Sequence, residues 1–131
     1  MAAAPPVLRV RNLTVEFATD AGIVRAVDDV SFDVAGDETV ALVGESGCGK
    51  TVTGLSLLRL VPEPPGRYTA GSIELTGRDL LALPREALPE IRGRDVAMIF
   101  QEPMTALNPV FTIGTQMTDV LRQHRGLSRS K

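Results

Sequence analysis

One stretch decides the predicted fold of this chain: Gly44-Glu45-Ser46-Gly47-Cys48-Gly49-Lys50-Thr51, which matches the phosphate-binding loop pattern G-x-x-x-x-G-K-[ST] at every fixed position. Because glycine has no Cβ, the backbone here can take left-handed dihedrals and bring its amides close to an anion. Successive N–H groups then form an anion-binding concavity at the start of the helix expected to follow. Lys50 adds an ammonium for the β- and γ-phosphates, and the Thr51 hydroxyl can ligate Mg²⁺. Residues 44–51 are therefore predicted to bind the phosphates of a nucleotide.

The residues on either side of this loop support the same interpretation. Residues 39–43 are mostly apolar and β-branched, and this pattern predicts a short buried strand. After the loop, Val52, Leu55 and Leu58 recur at helical spacing. A strand, a glycine loop and a helix in this order are the context that the motif requires, so a flexible glycine turn is disfavoured.

Length and composition set the remaining limits. The chain has 131 residues, which suits one small domain or part of a larger one. Net charge is −2 with scattered Lys and Arg, a pattern that predicts no nucleic-acid partner. The single Cys48 cannot form an internal disulfide, and no cysteine–histidine cluster indicates a metal site. The first residues lack a signal-peptide pattern, and no apolar stretch is long enough for a bilayer. We therefore expect a cytosolic chain, or one that a partner docks to a membrane.

Two half-buried strands are expected before the loop. Residues 8–17 alternate apolar and polar side chains but change phase at Asn12, which predicts a strand with a bulge or two short strands. Residues 19–22 are a turn signal, and residues 30–34 alternate again. An antiparallel hairpin is thus predicted to precede the loop. Residues 72–77 are predicted to form a further short strand.

Helical segments and a second core strand are predicted in the remainder. Pro84 can open a short helix, which Pro89 is expected to end or kink. Residues 96–100 are apolar and predict a second buried strand. Thr112 is the predicted cap of an amphipathic helix. The apolar positions of that helix fall at i, i+4, i+7 and i+8: Ile113, Met117, Val120 and Leu121.

Residues 98–109 carry a resemblance to a known family. They read Met-Ile-Phe-Gln-Glu-Pro-Met-Thr-Ala-Leu-Asn-Pro, and Gln101 follows Lys50 by 51 positions. This segment resembles the Q-loop of ATP-binding-cassette (ABC) ATPases, in particular the subunits that drive dipeptide, oligopeptide and nickel importers. The usual form has Asp where this chain has Glu102, and Ser where it has Ala106. Residues 15–17 and 26–32 are similar to the family as well.

The resemblance implies an α/β fold of the P-loop NTPase class. It implies a RecA-like core with an N-terminal antiparallel β subdomain, present here as the N-terminal portion of an incomplete ABC ATPase domain. The antiparallel part would cover about 7–37 and 71–77, and the P-loop core about 38–61 and 94–101. The helical subdomain would begin at about 102 and run to 131.

The resemblance also implies roles for individual residues. Lys50 and Gln101 would be catalytic, residues 44–51 would bind ATP, and Thr51 and Gln101 would contact Mg²⁺. Gln101 would also contact the attacking water, a role that suits an amide because it can both accept and donate hydrogen bonds. Phe17 is the best candidate for the aromatic ring that stacks on adenine, and an ordinary core phenylalanine is the alternative.

The function that the resemblance implies is that of an ATP-binding subunit of an importer for peptides or nickel, hydrolysing ATP in the intact protein. Its partners would be transmembrane permease subunits, a second ABC ATPase subunit (as a homo- or heterodimer) and, indirectly, a substrate-binding protein, at the cytoplasmic face of the inner membrane. The alternatives are a non-catalytic nucleotide-binding fragment and a soluble ABC ATPase not linked to transport. The family's signature motif, catalytic glutamate and switch histidine find no match here, so this chain alone is expected not to hydrolyse ATP. His124 is predicted to be a solvated surface residue.

Overall fold

The computed structural model describes residues 4–128, which divide after Pro84 into two compact units. The first unit contains four strands and one helix, and the second contains short helical turns and one longer helix. In chain order the elements are β1 (Leu8–Thr19), β2 (Gly22–Val34), α1 (Lys50–Leu57), β3 (Gly66–Leu75), β4 (Arg78–Asp79), a 3-10 helix (Arg85–Ala87), α2 (Leu88–Ile91), α3 (Pro103–Ala106) and α4 (Ile113–Arg125).

The strands of the first unit form one antiparallel sheet in the order β2-β1-β3-β4. The predicted hairpin is confirmed, and its two strands run further than the alternation of 30–34 alone suggested. They meet at a turn in which the Thr19 hydroxyl donates a 2.7 Å hydrogen bond to the carbonyl of Gly22. The predicted strand at 72–77 is also longer, because it begins at Gly66 and pairs with β1 along most of its length.

The change of phase at Asn12 is an irregularity within one strand. Asn12 has φ of 49°, and the register of β1 against β2 shifts between Val10 and Leu13. The Asn12 amide N–H donates to the Ser31 hydroxyl at 2.8 Å, so the displaced backbone keeps a partner. The shift returns the apolar side chains to the same buried side, and Val10, Leu13 and Val15 are all fully buried.

Ion pairs link β1 to both of its neighbours. Arg11 donates two hydrogen bonds, of 2.6 and 2.8 Å, to the carboxylate of Asp33 on β2, while Arg9 lies 3.6 Å from Glu74 on β3. The hydrogen bonds from Arg11 hold the pKa of Asp33 below its usual range. Cross-strand pairs of opposite charge favour one strand register, although exposed pairs add little free energy.

The core of the first unit is apolar except for Thr14 on β1 and two polar residues of α1. The buried residues of α1 are Thr53 and Ser56, while the predicted Val52 and Leu55 are only half-buried. The Ser56 hydroxyl donates to the Val52 carbonyl at 2.6 Å, so burial leaves its donor satisfied. The apolar core residues of the unit are Val10, Leu13, Val15, Val27, Leu58, Val61, Ile73, Leu75 and Leu80.

The two predicted buried strands flanking the functional motifs are absent, and those predictions are wrong for this structure. Residues 39–43 do not form a strand, and Val43 is 88% exposed. In residues 96–100 only Val96 forms an isolated parallel bridge, to Arg92, and Ile99 is 98% exposed. A strand needs a neighbour with free N–H and C=O groups, and within residues 4–128 neither segment is paired into a sheet.

The second unit confirms the predicted cap of α4. The Thr112 side chain accepts a 3.1 Å hydrogen bond from the Thr115 amide, and the helix ends at Gly126 in the left-handed conformation. The short helix predicted after Pro84 is present as the 3-10 helix Arg85–Ala87. Pro89 does not end or kink it as predicted, because it stands in the first turn of α2, where its missing N–H has no intrahelical role. His124 is half-buried rather than fully solvated, because its ring lies against Gly93, where an added Cβ would be 3.0 Å from Nε2.

Candidate phosphate-binding site

The loop of residues 44–51 leads directly into α1. Gly47 and Gly49 have φ of 80° and 95°, which is the left-handed region that L side chains rarely adopt. Gly49 is the residue before the first turn of α1, and the helix begins at Lys50. The N–H groups of a first helical turn have no acceptor within the helix, so they are available to an anion at this end.

The end of the loop lies against β2. A Cβ added to Gly49 would overlap the backbone carbonyl oxygen of Ala26 and would lie 3.8 Å from Cγ2 of Val27. The Thr53 hydroxyl fixes the same point from the helix side, because it donates a 2.8 Å hydrogen bond to the Gly49 carbonyl. The hairpin and the first turn of α1 therefore position the loop together.

The side chain of Lys50 folds back across the loop. Its Nζ donates to the carbonyl of Gly44 and, at 2.9 Å, to the carbonyl of Glu45. Both acceptors are neutral, so the ammonium charge is not cancelled by a carboxylate at this point. The side chain is half-buried, whereas Thr51 is exposed at the start of α1. Lys50 and Thr51 thus hold a charge and a hydroxyl at the mouth of the loop.

The other loop residues act through their backbone. Glu45, Ser46 and Cys48 are exposed, and the Cys48 amide donates to the Glu45 carbonyl at 3.3 Å, which closes a tight turn. The Cys48 sulfur lies directly over Gly44, where a Cβ would overlap it. At Gly44 an added Cβ would make the Cys48 side chain shift, whereas Gly47 and Gly49 hold dihedrals that favour glycine.

A cavity of about 670 Å³ opens beside the loop, between β2, residues 40–42 and α1. Its lining is largely apolar and includes Val30, Phe32 and Leu42, with Lys50 and Thr51 also contributing. An apolar surface does not suit phosphates, because it offers few hydrogen-bond donors. The loop itself is therefore the part that fits an anion.

Phe17 lies on the hairpin that supports the loop. It pairs with Val24 of β2 and with Gly66 of β3, and its ring is half-buried. A Cβ at Gly66 would lie 3.1 Å from Cε1 of Phe17, so one part of the ring packs on that glycine. Val24, opposite Phe17, is 52% exposed. The position is compatible with both interpretations of Phe17, and its role toward adenine stays a prediction.

Gln101 belongs to the second unit. It is exposed and stands two residues before α3. Its role toward Mg²⁺ and water stays a prediction. Among residues 4–128 no group of three or more His, Cys, Asp or Glu side chains could hold a metal ion. The Thr51 hydroxyl is the side-chain group of the loop that could ligate a divalent cation, together with oxygens of bound phosphates.

Sequence reasoning did not identify Ala26 and Thr53, the two residues that contact the end of the loop at Gly49. Ala26 contacts Gly49 through its backbone carbonyl oxygen, and a sequence motif does not show a contact of this kind. Thr53 carried a usable signal, since a threonine within a helix often bonds to the carbonyl four residues earlier. Here that carbonyl belongs to Gly49, at the base of the loop.

The glycine dihedrals, the lysine over the loop and the following helix define a P-loop nucleotide-binding protein. A family model described as ABC transporter matches residues 27–129, and the chain belongs to this family. The mixed α/β composition and the antiparallel sheet agree with that assignment.

Curated relatives from Brucella species are similar to most of the chain. One from Brucella melitensis biotype 1 is 52% identical over 122 residues, which cover 93% of this chain and 36% of the relative. One from Brucella ovis is 52% identical over 129 residues, which cover 95% of this chain and 38% of the relative. The names of both include the words "peptide import ATP-binding protein".

The chain thus spans little more than a third of the length of these relatives. None of the helices within residues 4–128 combines the length and the apolar character needed to cross a membrane.

Proposed function

We propose that this chain forms the nucleotide-binding part of an ATP-hydrolysing subunit of a peptide importer. The observation that carries the proposal is the P-loop of residues 44–51, with Lys50 over the loop, in a chain belonging to the ABC transporter family. The names of the relatives favour peptides over nickel as the imported cargo.

The proposal includes a finer division of the fold than the two compact units. The antiparallel sheet would be the β subdomain, with boundaries near 7–37 and 71–77. Segments near 38–61 and 94–101 would belong to a RecA-like core. Residues from about 102 would begin a helical subdomain. The exposure of Val43 and Ile99 supports this division, because apolar β-forming segments are normally covered by a sheet's neighbours.

ATP and Mg²⁺ are the cofactors that fit these residues. The amides of the loop and of the first turn of α1 would hold the phosphates, Lys50 would neutralise the β- and γ-phosphates, and Thr51 would ligate the cation. Gln101 would orient water. Bound Mg²⁺ supplies further charge neutralisation, and the catalysis of phosphoryl transfer depends mainly on positioning and electrostatic stabilisation.

The proposed setting is the cytoplasmic face of the inner membrane. Transmembrane permease subunits, a second ABC ATPase subunit and a substrate-binding protein would complete the importer. The word "import" in the names of the relatives supports a permease partner. We expect no nucleic-acid partner, since the net charge is −2 and Lys and Arg are scattered along the sequence.

The test of the proposal is nucleotide binding by a Lys50→Met variant. Methionine keeps the unbranched stem of the side chain as far as Cε but has no ammonium group to donate to a phosphate. Charge-assisted hydrogen bonds are worth about 1.5–3 kcal/mol each, so affinity should fall at least about tenfold. Titration with a fluorescent ATP analogue measures it.

A matched control is Arg78→Met, which removes one positive charge from exposed β4 of the same unit. The control should bind like the wild type. Equal losses in the two variants would mean that net charge, and not the loop, binds the nucleotide, and unchanged binding in Lys50→Met would refute the site.

A further inference from the structure

The Gly49 carbonyl accepts two hydrogen bonds from one residue of α1. The Thr53 amide donates to it at 2.9 Å, as in any first helical turn, and the Thr53 hydroxyl donates to it at 2.8 Å. A carbonyl oxygen has two lone pairs, so both are in use. Thr53 is 5% exposed, so water competes little for these bonds. Together the two bonds fix the direction of the Gly49 carbonyl.

The direction of this carbonyl also sets that of the Lys50 amide. The Gly49 carbonyl and the Lys50 N–H belong to one peptide unit, which is planar and trans, so the two groups point in opposite directions. Because the carbonyl points toward the body of α1, the Lys50 N–H points out of the N-terminal end of the helix. This N–H is one of the first-turn donors that are available to an anion.

The start of α1 lacks the device that usually fixes a first turn. In most helices a Ser, Thr, Asp or Asn at the N-cap accepts a hydrogen bond from a first-turn amide, which then cannot bind a ligand. Here the N-cap is Gly49, which has no side chain. The contact from β2 is made by the Ala26 carbonyl oxygen, an acceptor that cannot donate to the Gly49 carbonyl. Thr53 therefore holds the N-cap residue from inside the helix and leaves the first-turn amides open.

We propose that Thr53 is a positioning residue for bound phosphates, because its hydroxyl orients the Lys50 amide through the Gly49 carbonyl. The inference rests on the proposed function, in which residues 44–51 bind the phosphates of a nucleotide. Thr53 acts on the phosphates through the loop and has no part in holding the base. Binding of ATP and binding of inorganic triphosphate should therefore depend on Thr53 to the same extent.

The test is the affinity of Thr53→Val for ATP and for inorganic triphosphate, measured by calorimetric titration of the 131-residue chain. Valine has nearly the shape of threonine but no hydroxyl. A neutral hydrogen bond changes an equilibrium constant by about three- to tenfold, and a loss of this size is expected for both ligands. Thr53→Ser keeps the hydroxyl and should bind both ligands like the wild type. Unchanged affinity in Thr53→Val, or a loss for ATP alone, would overturn the proposal.

Two controls separate positioning from a loss of helix stability. Ser56→Ala removes the 2.6 Å bond from a fully buried hydroxyl to the Val52 carbonyl, one turn further along the same helix. Thr118→Val removes an equivalent 2.6 Å bond, from the Thr118 hydroxyl to the Gly114 carbonyl in α4. Both controls should bind like the wild type. A loss in Ser56→Ala equal to that in Thr53→Val would show that Thr53 only stabilises the helix.

A second pair of variants covers the case in which valine disturbs the fold. If Thr53→Val lowers the helix content in circular dichroism, Thr53→Ser and Thr53→Ala replace it, since these two variants differ by the hydroxyl alone. The serine variant should bind both ligands more tightly than the alanine variant, by about three- to tenfold. Equal affinities of the two would overturn the proposal.

The order of the Lys50 amide gives a measurement that needs no ligand. Its order parameter from ¹⁵N relaxation should be about 0.85 in the wild type and clearly lower, about 0.7, in Thr53→Val. The Leu55 amide, further along α1, should keep its wild-type value. An unchanged order parameter at Lys50 would overturn the proposal. If the wild type binds neither ATP nor triphosphate, the proposed function fails, and the order parameter alone decides whether Thr53 orients this amide.

Discussion

Replacing Gly49 by alanine should cost much more stability than replacing Gly47, although both glycines have positive φ. An L residue in a left-handed conformation costs about 1–2 kcal/mol, and this cost applies to both variants. Around Gly47 an added Cβ meets no atom within 4 Å. At Gly49 it overlaps the backbone carbonyl of Ala26, which no side-chain rotation can relieve. Overpacking of this kind adds about 1–3 kcal/mol, so the expected total for Gly49→Ala is about 2–5 kcal/mol.

Urea unfolding of both variants, followed by far-UV circular dichroism, measures this difference. With an m-value of about 2 kcal/mol/M, an extra loss of about 2 kcal/mol lowers the midpoint of Gly49→Ala by about 1 M relative to Gly47→Ala. Both variants carry the free-energy cost of an L residue in a left-handed conformation, so the difference between their midpoints reports the overlap at Gly49. Equal midpoints would refute the reasoning, because they would show that Gly49 is not pressed against β2.

Two further predictions concern the hairpin. Phe17→Leu keeps apolar bulk against Gly66 but removes the flat ring. Because stacking on a base is worth about 1–3 kcal/mol, the affinity for ATP should fall at least about fivefold. The affinity for inorganic triphosphate, which has no base, should stay unchanged. Equal losses for both ligands would show that Phe17 supports the fold only. For Asp33, whose pKa Arg11 lowers, the stabilisation is fully present above about pH 4 and is lost as the pH falls through the folded-state pKa. Thermal midpoints of wild type and Asp33→Asn should thus differ at pH 6, and the difference should shrink steadily as the pH falls below about 4. A difference that does not change with pH would contradict the ion-pair interpretation.

The parts of the fold that the sequence predicted well are those stabilised locally. The cap at Thr112 depends on a side chain and an amide three residues apart, so a short pattern is enough to find it. The irregularity at Asn12 also showed itself as a change of phase. The phosphate loop was predicted from residue types whose conformational freedom is intrinsic, and Gly47 and Gly49 have the expected dihedrals.

The errors occurred where an element depends on distant partners. Residues 39–43 and 96–100 have the composition of buried strands, but composition cannot show whether a pairing strand is within reach. In the first helix the apolar periodicity favoured Val52, Leu55 and Leu58 as the buried face. Leu58, just after α1, is buried, but within α1 the buried residues are Thr53 and Ser56. Back-bonding satisfies their hydroxyls, and a hydropathy pattern does not register that bond.

The roles within the site divide in the same way. Lys50 could be assigned to the loop from the motif alone, because its acceptors at Gly44 and Glu45 lie within the motif. The supporting carbonyl of Ala26 could not be found, since it belongs to another strand and acts through its backbone. For Phe17 and Gln101 the resemblance gave roles that depend on a bound nucleotide.

The exposed segments 39–43 and 96–100 also bear on how the chain behaves at high concentration. Each is a short, uncharged, β-prone run without proline, which is the composition that forms intermolecular cross-β contacts when left uncovered. Both are flanked by acidic residues: Asp37 and Glu38 precede the first run, and Asp95 and Glu102 stand near the ends of the second. Charges at such positions act as gatekeepers, because stacking identical segments would bring like charges together. Solubility should therefore depend on these carboxylates, so high-salt solutions that screen their charges will favour precipitation.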